Sequence, residues 1–399
     1  MTNPELDLLQ PYPFEKLRAL LDGVAPADLP AVSLSIGEPK HPAPQLVLDA
    51  MHEAAREVER YPTTRGSNEL RETIAAWLCQ RFALENAGTL AEQHVLPVNG
   101  TREGLFAIAQ CALDRSRAHR QVLMPNPFYQ IYEGAALLAG CQPEFYAIDE
   151  QADDNLHAIT DKQFAQCQMI YICTPGNPTG AVYSATTLKW LIEKAQAHDF
   201  LIVSDECYSE IYRESEGAPS GLLQAAAAMG LHGYDRCLAF HSLSKRSNLP
   251  GLRSGFVAGD ASLISRFVEY RTYQGCSMSG FVQRASIAAW SDESHVQVNR
   301  AAYDEKFAAV AGILGQSLGV NTPPAGFYLW PELPVDDQLI TRRLLAEFNV
   351  RVVPGSFLAR APGRDNYNPG TNHLRLALVA PLDDCVTAAQ RIVQCLQTS

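Results

Sequence analysis

The sequence predicts an α/β protein in which a large domain, with a mostly parallel sheet flanked by helices, is joined to a smaller α+β domain. Short apolar runs without strict alternation are typical of parallel strands buried on both faces. Such runs occur at residues 94–98, 121–124, 168–173, 200–204, 236–241 and 255–259. Helical patterns lie between several of them, at residues 102–112, 129–139 and 185–198, which indicates βαβ units. With 399 residues, 47% of them hydrophobic, the chain can bury two or three cores.

The two ends of the chain carry different patterns. Residues 1–35 contain five prolines and predict an extended arm with one short helix near 13–21. After residue 290 helices and strands mix, and we predict them at 296–318, 327–330, 339–348, 350–353 and 373–379, followed by a closing helix. We therefore expect an N-terminal segment (1–35) that contributes to the small domain, a large domain (36–290) and a small domain (291–399).

Charge and cysteine usage narrow the possible functions. The chain has 32 Lys and Arg against 44 Asp and Glu, which gives a net charge of −12. A nucleic-acid-binding protein usually carries a positive charge, so this function is not expected. The ten cysteines form no CxxC pair and no zinc-spaced cluster with histidine. Neither a basic leader nor an apolar run of about 18 residues is present. We expect a cytoplasmic protein with no metal and no membrane segment.

Polar residues follow four of the predicted strands. A Gly-Thr turn at residues 100–101 precedes a helix, whose free N–H groups and dipole suit a phosphate. Residues 174–180 contain two prolines and two glycines, which hold the amide of Asn177 on a rigid path. Asp205 ends another apolar strand, with Tyr208 three residues on, and a buried carboxylate needs a partner. These segments predict a polar site at one edge of the sheet.

The fourth segment, at residues 241–255, surrounds a lysine with hydroxyl groups. Lys245 could form an imine with an aldehyde, while Ser242, Ser244 and Arg253 could bind a phosphate on the same molecule. Together, the four segments offer a lysine for an imine, a carboxylate for a pyridine nitrogen, an amide and a phenol for a ring oxygen, and a helix terminus for phosphate. Those are the requirements of pyridoxal 5′-phosphate (PLP).

In this order along the chain, the motifs resemble those of the class I and II aminotransferases of PLP fold type I. The shared features are Asn-Pro-Thr-Gly at 177–180, Asp205 with Tyr208, and Ser-x-Ser-Lys at 242–245 followed by Arg253. The resemblance runs from about residue 34 to the C-terminus. It implies the aspartate-aminotransferase-like fold, with a large PLP-binding domain and a small domain, and a transamination that runs in ping-pong order.

The resemblance also implies roles for individual residues. Lys245 is expected to bind PLP covalently and, once released by substrate, to move the proton between Cα and C4′. Asp205 is expected to pair with the pyridinium nitrogen, so that the ring can accept electrons. Asn177 and Tyr208 are expected to hydrogen-bond the phenolic oxygen of the cofactor.

Further residues are expected to hold the cofactor from its edges. Tyr129 stands where the family stacks an aromatic ring on PLP, and Gly100, Thr101 and Arg102 match the family's phosphate-binding turn. Tyr61 corresponds to a tyrosine that reaches the phosphate of the neighbouring subunit. The resemblance therefore implies a homodimer, with the N-terminal arm packed on the partner.

Two positions match the family's binding of the substrate α-carboxylate. Arg375 is expected to bind it in a bidentate fork, because the planar donors of arginine match a carboxylate. The backbone at Gly37 is expected to close over it. Held in this way, the Cα–H bond would stand over the cofactor ring.

The segment Gly-Glu-Pro-Lys-His-Pro at 37–42 is basic where many relatives are acidic and aromatic, and it is most similar to that of bacterial N-succinyldiaminopimelate aminotransferases. Glutamate with 2-oxoglutarate and N-succinyl-LL-2,6-diaminopimelate are then the expected substrates, in lysine and diaminopimelate biosynthesis. Lys40, Arg65 or Arg102 is expected to bind a distal carboxylate, and Lys40 is our first choice.

Other activities remain open at this point. An aminotransferase acting on aspartate, alanine or an aromatic amino acid could use the same residues, and so could a PLP β-lyase. A PLP-sensing transcription regulator would need an N-terminal helix-turn-helix, for which residues 1–35 are too short and too rich in proline.

Overall fold

The computed structural model describes residues 2–361 and 367–398. The strands are β1 (Val32–Ser33), β2 (Val95–Val98), β3 (Gln121–Asn126), β4 (Gln142–Ala147), β5 (Cys167–Cys173), β6 (Leu201–Asp205), β7 (Cys237–Ser242), β8 (Gly255–Gly259), β9 (Tyr328–Leu329), β10 (Val350–Arg351), β11 (Val353–Pro354) and β12 (Leu374–Ala377).

The α-helices are α1 (Pro13–Leu20), α2 (Gln45–Glu53), α3 (Asn68–Phe82), α4 (Ala87–Thr89), α5 (Thr101–Ala112), α6 (Ile131–Leu138), α7 (Ala152–His157), α8 (Asp161–Phe164), α9 (Ala185–His198), α10 (Leu222–Ala228), α11 (Leu243–Arg246), α12 (Ala261–Gln274), α13 (Gly280–Ser291), α14 (Ser294–Leu318), α15 (Asp337–Phe348) and α16 (Leu382–Gln397). None of the helices in these described ranges combines the length and the apolar composition needed to cross a membrane.

The main sheet has seven strands in the order β2-β8-β7-β6-β5-β3-β4. Among the described strands of this sheet, β8 runs opposite to the other six, which are parallel to one another; this confirms the predicted α/β class with a mostly parallel sheet. The strand β4 was not predicted from the sequence. It lies at the edge of the sheet and carries exposed polar side chains such as Gln142, so it lacks the apolar run that marks the central strands.

Both faces of the sheet are covered by helices, because the central strands are apolar on both sides. In β5, Ile170 and Ile172 contribute to one core, together with residues of α3, α9, α10 and α13. Met169 and Tyr171 point to the opposite face and join a second core with α5, α6 and α12. This two-sided burial is the physical reason for the missing alternation in the sequence.

A third core is built from both ends of the chain. Val32 and Leu34 pack with residues of α14, α15 and α16, and β1 pairs in parallel with β10. In α1, Leu17 packs against Val353 and Phe357. The N-terminal segment therefore packs on C-terminal residues through Leu17, Val32 and Leu34, while the domain boundaries at 35/36 and 290/291 stay predictions.

The strand directions bring the four polar segments together. Strands β2, β5, β6 and β7 run in the same direction, so their carboxyl ends lie at one edge of the sheet. The antiparallel β8 begins at that edge, where Gly255 pairs with both Val98 and Ser242. Segments distant in sequence thus meet at the place where α/β sheets bind their ligands.

Candidate functional site

Lys245 lies in α11, which begins directly after β7. The Oγ atom of Ser242 caps this helix by accepting the N–H of Ser244 at 3.1 Å. The Lys245 Nζ atom donates a hydrogen bond to the Gly37 carbonyl and lies 5.3 Å from the centre of the Phe327 ring. The lysine therefore reaches from the edge of the main sheet to the segment after β1.

The surroundings of Lys245 change its acidity. Burial of the ammonium lowers the pKa of Lys245 to about 8, and the positive charges of Arg375 and Arg102 act in the same direction. The negative charge of Glu38 opposes this change; a Cys207 thiolate would do the same, but burial raises the pKa of that thiol well above its ordinary value. An amine with a pKa near neutrality is partly unprotonated at physiological pH, so it can act as a nucleophile or a base.

Asp205 is buried at the end of β6 and accepts two hydrogen bonds. Tyr132 donates its hydroxyl to Oδ2 at 2.7 Å, and the Cys207 N–H donates to Oδ1 at 3.3 Å. Burial raises the pKa of Asp205, while these hydrogen bonds favour the carboxylate form. Tyr132 was missed by sequence reasoning. The only signal was its position three residues after Tyr129.

The turn before α5 forms a small space, here called the Gly100 cradle, in which backbone N–H groups are left open. Gly100 has φ 84°, and a Cβ atom there would lie 2.3 Å from Nη2 of Arg253. Within the described residues, the N-cap position Gly100 offers no side-chain acceptor to the first N–H groups of α5, which starts at Thr101. The Thr101 hydroxyl lies 3.0 Å from the Cys207 Sγ atom. Free N–H groups, a helix dipole and a guanidinium thus converge on one small space, as an anion such as phosphate requires.

Arg375 lies in β12 and is only 5% exposed. Its Nη2 atom donates to the Ser35 carbonyl at 2.8 Å, and Nη1 donates to Oδ1 of Asn177 at 3.4 Å. Its Nε atom has no partner in the described part of the chain. A buried guanidinium held by neutral oxygens alone is suited to an anionic ligand.

Tyr328 links several of the predicted residues. Its hydroxyl lies 3.2 Å from the Tyr208 hydroxyl, and its ring lies 4.7 Å from the Arg375 guanidinium. A Cβ atom at Gly37 would lie 2.0 Å from the Tyr328 hydroxyl, so only glycine fits there. Tyr328 was not singled out from the sequence because it stands in a short strand, where an aromatic residue reads as core.

Arg102 is exposed at the mouth of this site. Its Nε atom donates to the Tyr129 hydroxyl at 2.7 Å, and its guanidinium lies 6.0 Å from the ring of Tyr12. Tyr129 contacts the edge of Tyr132, so it stands next to the residue that bonds Asp205. The N-terminal segment thus reaches the site, which the sequence did not indicate.

Three predicted residues lie apart from this group. Lys40 is exposed, and its charge helps to lower the pKa of the buried Lys306. Arg65 donates to the Glu92 carbonyl and lines a cavity of about 890 Å³ near the amino end of β2, together with Arg71 and Ser262. Tyr61 is fully exposed, as a contact with another subunit would require.

The PLP implied by the resemblance fits these residues. The Gly100 cradle beside Arg253 suits its phosphate, and Asp205 suits its ring nitrogen. Lys245 offers an amine of lowered pKa, and the unpartnered Nε of Arg375 is left for the substrate carboxylate. We find no group of three or more metal-ligating side chains in residues 2–361 and 367–398.

Comparison with known proteins agrees with the geometry. The family model for aminotransferase class I and II matches residues 30–392. A solved aminotransferase from Neisseria meningitidis Z2491 has a TM-score of 0.93 and 44% identity, covering 99% of this chain and 100% of that one. The LL-diaminopimelate aminotransferase of Maridesulfovibrio salexigens is 29% identical over 97% of each chain. A structure named as a probable N-succinyldiaminopimelate aminotransferase, from Thermus thermophilus, has a TM-score of 0.81 and 26% identity over 96% of this chain and 99% of that one.

Proposed function

The chain belongs to the class I and II aminotransferases, and we propose that it transfers an amino group from glutamate to the keto acid that becomes N-succinyl-LL-2,6-diaminopimelate. Enzymes of this family and fold depend on PLP, which is the cofactor here. Glutamate leaves as 2-oxoglutarate before the second substrate binds, in ping-pong order. The reaction would serve lysine and diaminopimelate biosynthesis.

The residues of the site divide the work between them. PLP, when bound, supplies an aldehyde and an electron-accepting ring. Lys245 would hold the cofactor through its aldehyde and, once released, would move the proton at Cα, for which its lowered pKa is suited. Asp205 stabilises the positive ring nitrogen from a buried position. Arg375 orients the substrate by its α-carboxylate, which fixes the Cα–H bond for proton removal.

The observation that carries the choice of substrate is the pair of guanidinium groups near Lys245. Arg375 and Arg102 both lie near enough to lower the pKa of Lys245, and neither forms an ion pair in the described ranges. One is buried and one is exposed at the mouth, which suits an α-carboxylate and a distal carboxylate. Glutamate, the succinylated substrate and LL-diaminopimelate each carry an α-carboxylate and at least one distal carboxylate, so the two guanidinium groups favour a substrate of this class and favour Arg102 over Lys40 for the distal group.

LL-diaminopimelate is a second candidate substrate. A relative with that activity in its name covers 97% of this chain. LL-diaminopimelate carries a distal ammonium, which succinylation removes, and the exposed Glu38 near Lys245 could accept its hydrogen bonds. If LL-diaminopimelate is the substrate, its kcat/KM should depend on Glu38. If the succinylated compound is the substrate, its KM should depend on Arg102.

Steady-state kinetics of the PLP-loaded enzyme test this proposal. With 2-oxoglutarate as acceptor, we expect kcat/KM for N-succinyl-LL-diaminopimelate to exceed that for LL-diaminopimelate by about tenfold or more, because the added succinyl carboxylate can pair with Arg102 whereas the free distal ammonium is repelled by it. We expect Arg102→Ala to raise KM for the succinylated substrate and for glutamate about tenfold, because a charge-assisted hydrogen bond is lost.

Each other outcome has a distinct meaning. A preference for LL-diaminopimelate, weakened by Glu38→Gln, supports the second candidate. If Lys40→Ala raises KM and Arg102→Ala does not, Lys40 and not Arg102 binds the distal carboxylate. Activity confined to aspartate, alanine or aromatic amino acids, or release of ammonia by elimination, contradicts the proposed substrate. Full activity in Lys245→Ala contradicts the aminotransferase chemistry itself.

We also propose that the active unit is a homodimer. The fully exposed Tyr61 lies near an apolar surface that includes Leu48 and Val58. A cavity of about 560 Å³ in this surface is lined by Met51 and Phe281 among others. An exposed apolar patch of this kind is typical of a protein interface. This support comes in addition to the resemblance, which assigns Tyr61 to the neighbouring site.

A further inference from the structure

The segment after Gly37 is fastened to helix α14 by a histidine. The Nδ1 atom of His41 lies 2.7 Å from Oδ1 of Asn299, and its Nε2 atom lies 2.7 Å from Nζ of Lys306. The imidazole ring also packs on Tyr303, with ring centres 4.8 Å apart. Asn299, Tyr303 and Lys306 are buried and follow one another at the spacing of a single helix face.

The donors and acceptors in this group allow one consistent arrangement. The Lys306 ammonium can only donate, so Nε2 of His41 accepts and Nδ1 carries the hydrogen. His41 then donates to Oδ1 of Asn299, which turns the Asn299 amide nitrogen towards α11. That nitrogen lies 3.3 Å from the carbonyl oxygens of both Lys245 and Arg246. The neutral imidazole is consistent with burial, which lowers the pKa of His41, and with the nearby Lys306 charge, which acts the same way.

Lys245 is therefore held at both ends by this assembly. Its main-chain carbonyl accepts from Asn299, and its Nζ atom donates to the Gly37 carbonyl, four residues before His41. The last carbonyl groups of a helix have no partners within the helix, and α11 is only one turn long. Asn299 supplies donors for two of them, so the position of Lys245 depends on side chains of α14.

We propose that His41 is a positioning residue for Lys245, which it holds through Asn299 at the main chain and through residues 37–41 at the Gly37 carbonyl. This inference rests on the proposed aminotransferase function. Sequence reasoning selected Lys40 in this basic segment. In the structure, it is the neighbouring His41 that contacts α14, whereas Lys40 is exposed.

The variant His41→Phe tests the proposal, because it keeps a ring against Tyr303 and removes both hydrogen bonds. We expect kcat with glutamate to fall about 10- to 100-fold, since misplacement of a catalytic group by about 1 Å has effects of that size. KM for glutamate should stay within about twofold, because Arg375 is untouched. His41→Gln, whose amide can accept from Lys306 and donate to Asn299, should recover most of kcat.

A binding measurement on the PLP-free protein gives a readout that does not depend on turnover. PLP can bond to Lys245, whereas pyridoxine 5′-phosphate lacks the aldehyde and binds only through its ring and phosphate. In His41→Phe we expect the Kd for PLP to rise about tenfold or more, while the Kd for pyridoxine 5′-phosphate stays within about twofold. General damage to the fold would weaken both ligands alike.

A second variant and a control complete the design. Asn299→Asp places a carboxylate against two carbonyl oxygens and should give the same separation of the two Kd values. Val298→Ala, at the exposed neighbour of Asn299, should leave both Kd values and kcat unchanged. Unchanged PLP binding and kcat in His41→Phe and Asn299→Asp would overturn the positioning role, as would equal weakening of both ligands. Failure of the unmodified protein to bind PLP would instead overturn the proposed function.

Discussion

Burial of the Lys245 side chain is the main cause of the lowered pKa that the proposed chemistry requires. The pKa of the amine falls from 10.5 to about 8, mainly because water is excluded, and the charges of Arg375 and Arg102 add to this effect. In the proposed function the same two guanidinium groups bind the carboxylates of the substrate. The pKa of the lysine and the proposed substrate binding then depend on the same two cations.

This lowered pKa predicts the pH dependence of Lys245 in the PLP-free protein. We expect its acylation by an amine-specific reagent, followed by mass spectrometry of the peptide, to reach half its maximal rate near pH 8. In protein unfolded by urea the same peptide should reach half its maximal rate near pH 10.5. Equal midpoints in the two states would contradict the assigned environment.

The sign of the linked stability effect follows from the same comparison. Between the two midpoints the unfolded chain binds more protons than the folded chain at this group, so folding stability from this group rises with pH there. Below about pH 8 both states are protonated, and the cost of burying the ammonium is then complete. The groups that act on this amine are Cys207, Arg375, Glu38 and Arg102.

At the scale of elements, the turn before α5 shows how a backbone feature makes a binding site. Gly100 combines a positive φ with close contact to Arg253, and α5 begins directly after it. A side chain at this position would fill the space between the helix N-terminus and the guanidinium. The sequence analysis assigned both the Gly-Thr pair and Arg253 to a phosphate, and the structure adds how closely Arg253, from the distant segment between α11 and β8, approaches Gly100.

The variant Gly100→Ala should weaken PLP binding without unfolding the protein. We expect the Kd for PLP to rise about tenfold or more, since the new Cβ atom would displace Arg253 and strain the backbone. Gly217→Ala is the matched control, because Gly217 also has a positive φ but nothing within 4 Å of an added Cβ atom. If both variants bind PLP like the unmodified protein, the cradle does not hold the phosphate.

Most elements of the main sheet could be predicted, and the exception is informative. The central strands are recognisable as apolar runs because both of their faces are buried. The edge strand β4 has only one neighbour and keeps exposed polar side chains, so its sequence is ambiguous. The antiparallel direction of β8 is decided by the short path from α11 through Arg253 to Gly255, which leaves no room for a crossover helix.

At the scale of the whole molecule, the proposed homodimer makes one subunit dependent on the other. Tyr61 is exposed on its own chain and makes no contribution to the site beside Lys245 of that chain. If it completes the neighbouring site, a protomer that lacks Tyr61 and one that lacks Lys245 can rescue each other. The rescued site combines Lys245 of one protomer with Tyr61 of the other.

Mixing the inactive variant Lys245→Ala with the weakened variant Tyr61→Ala tests this arrangement. After dissociation and random reassociation, half of the dimers are mixed and one of their two sites is complete, so activity should return to about a quarter of the unmodified level. Tyr61→Ala mixed with itself is the control. No gain on mixing, or a monomer by sedimentation, would contradict the shared site.

The sequence by itself determined the α/β class and the PLP motifs and predicted Lys245, Asp205, Asn177 and Arg375 as site residues, because residue types and their order along the chain carry that information. Only the tertiary structure decided which residues surround them. Tyr132, Tyr328 and Asn299 look like ordinary core or helix residues in sequence, and they acquire roles through contacts with distant segments. The physical reason is that hydrogen bonds and burial depend on where the folded chain brings side chains together. The basic segment after Gly37 was noticed from its sequence, but only the structure shows that His41 contacts Asn299 and Lys306 of α14 while Lys40 is exposed.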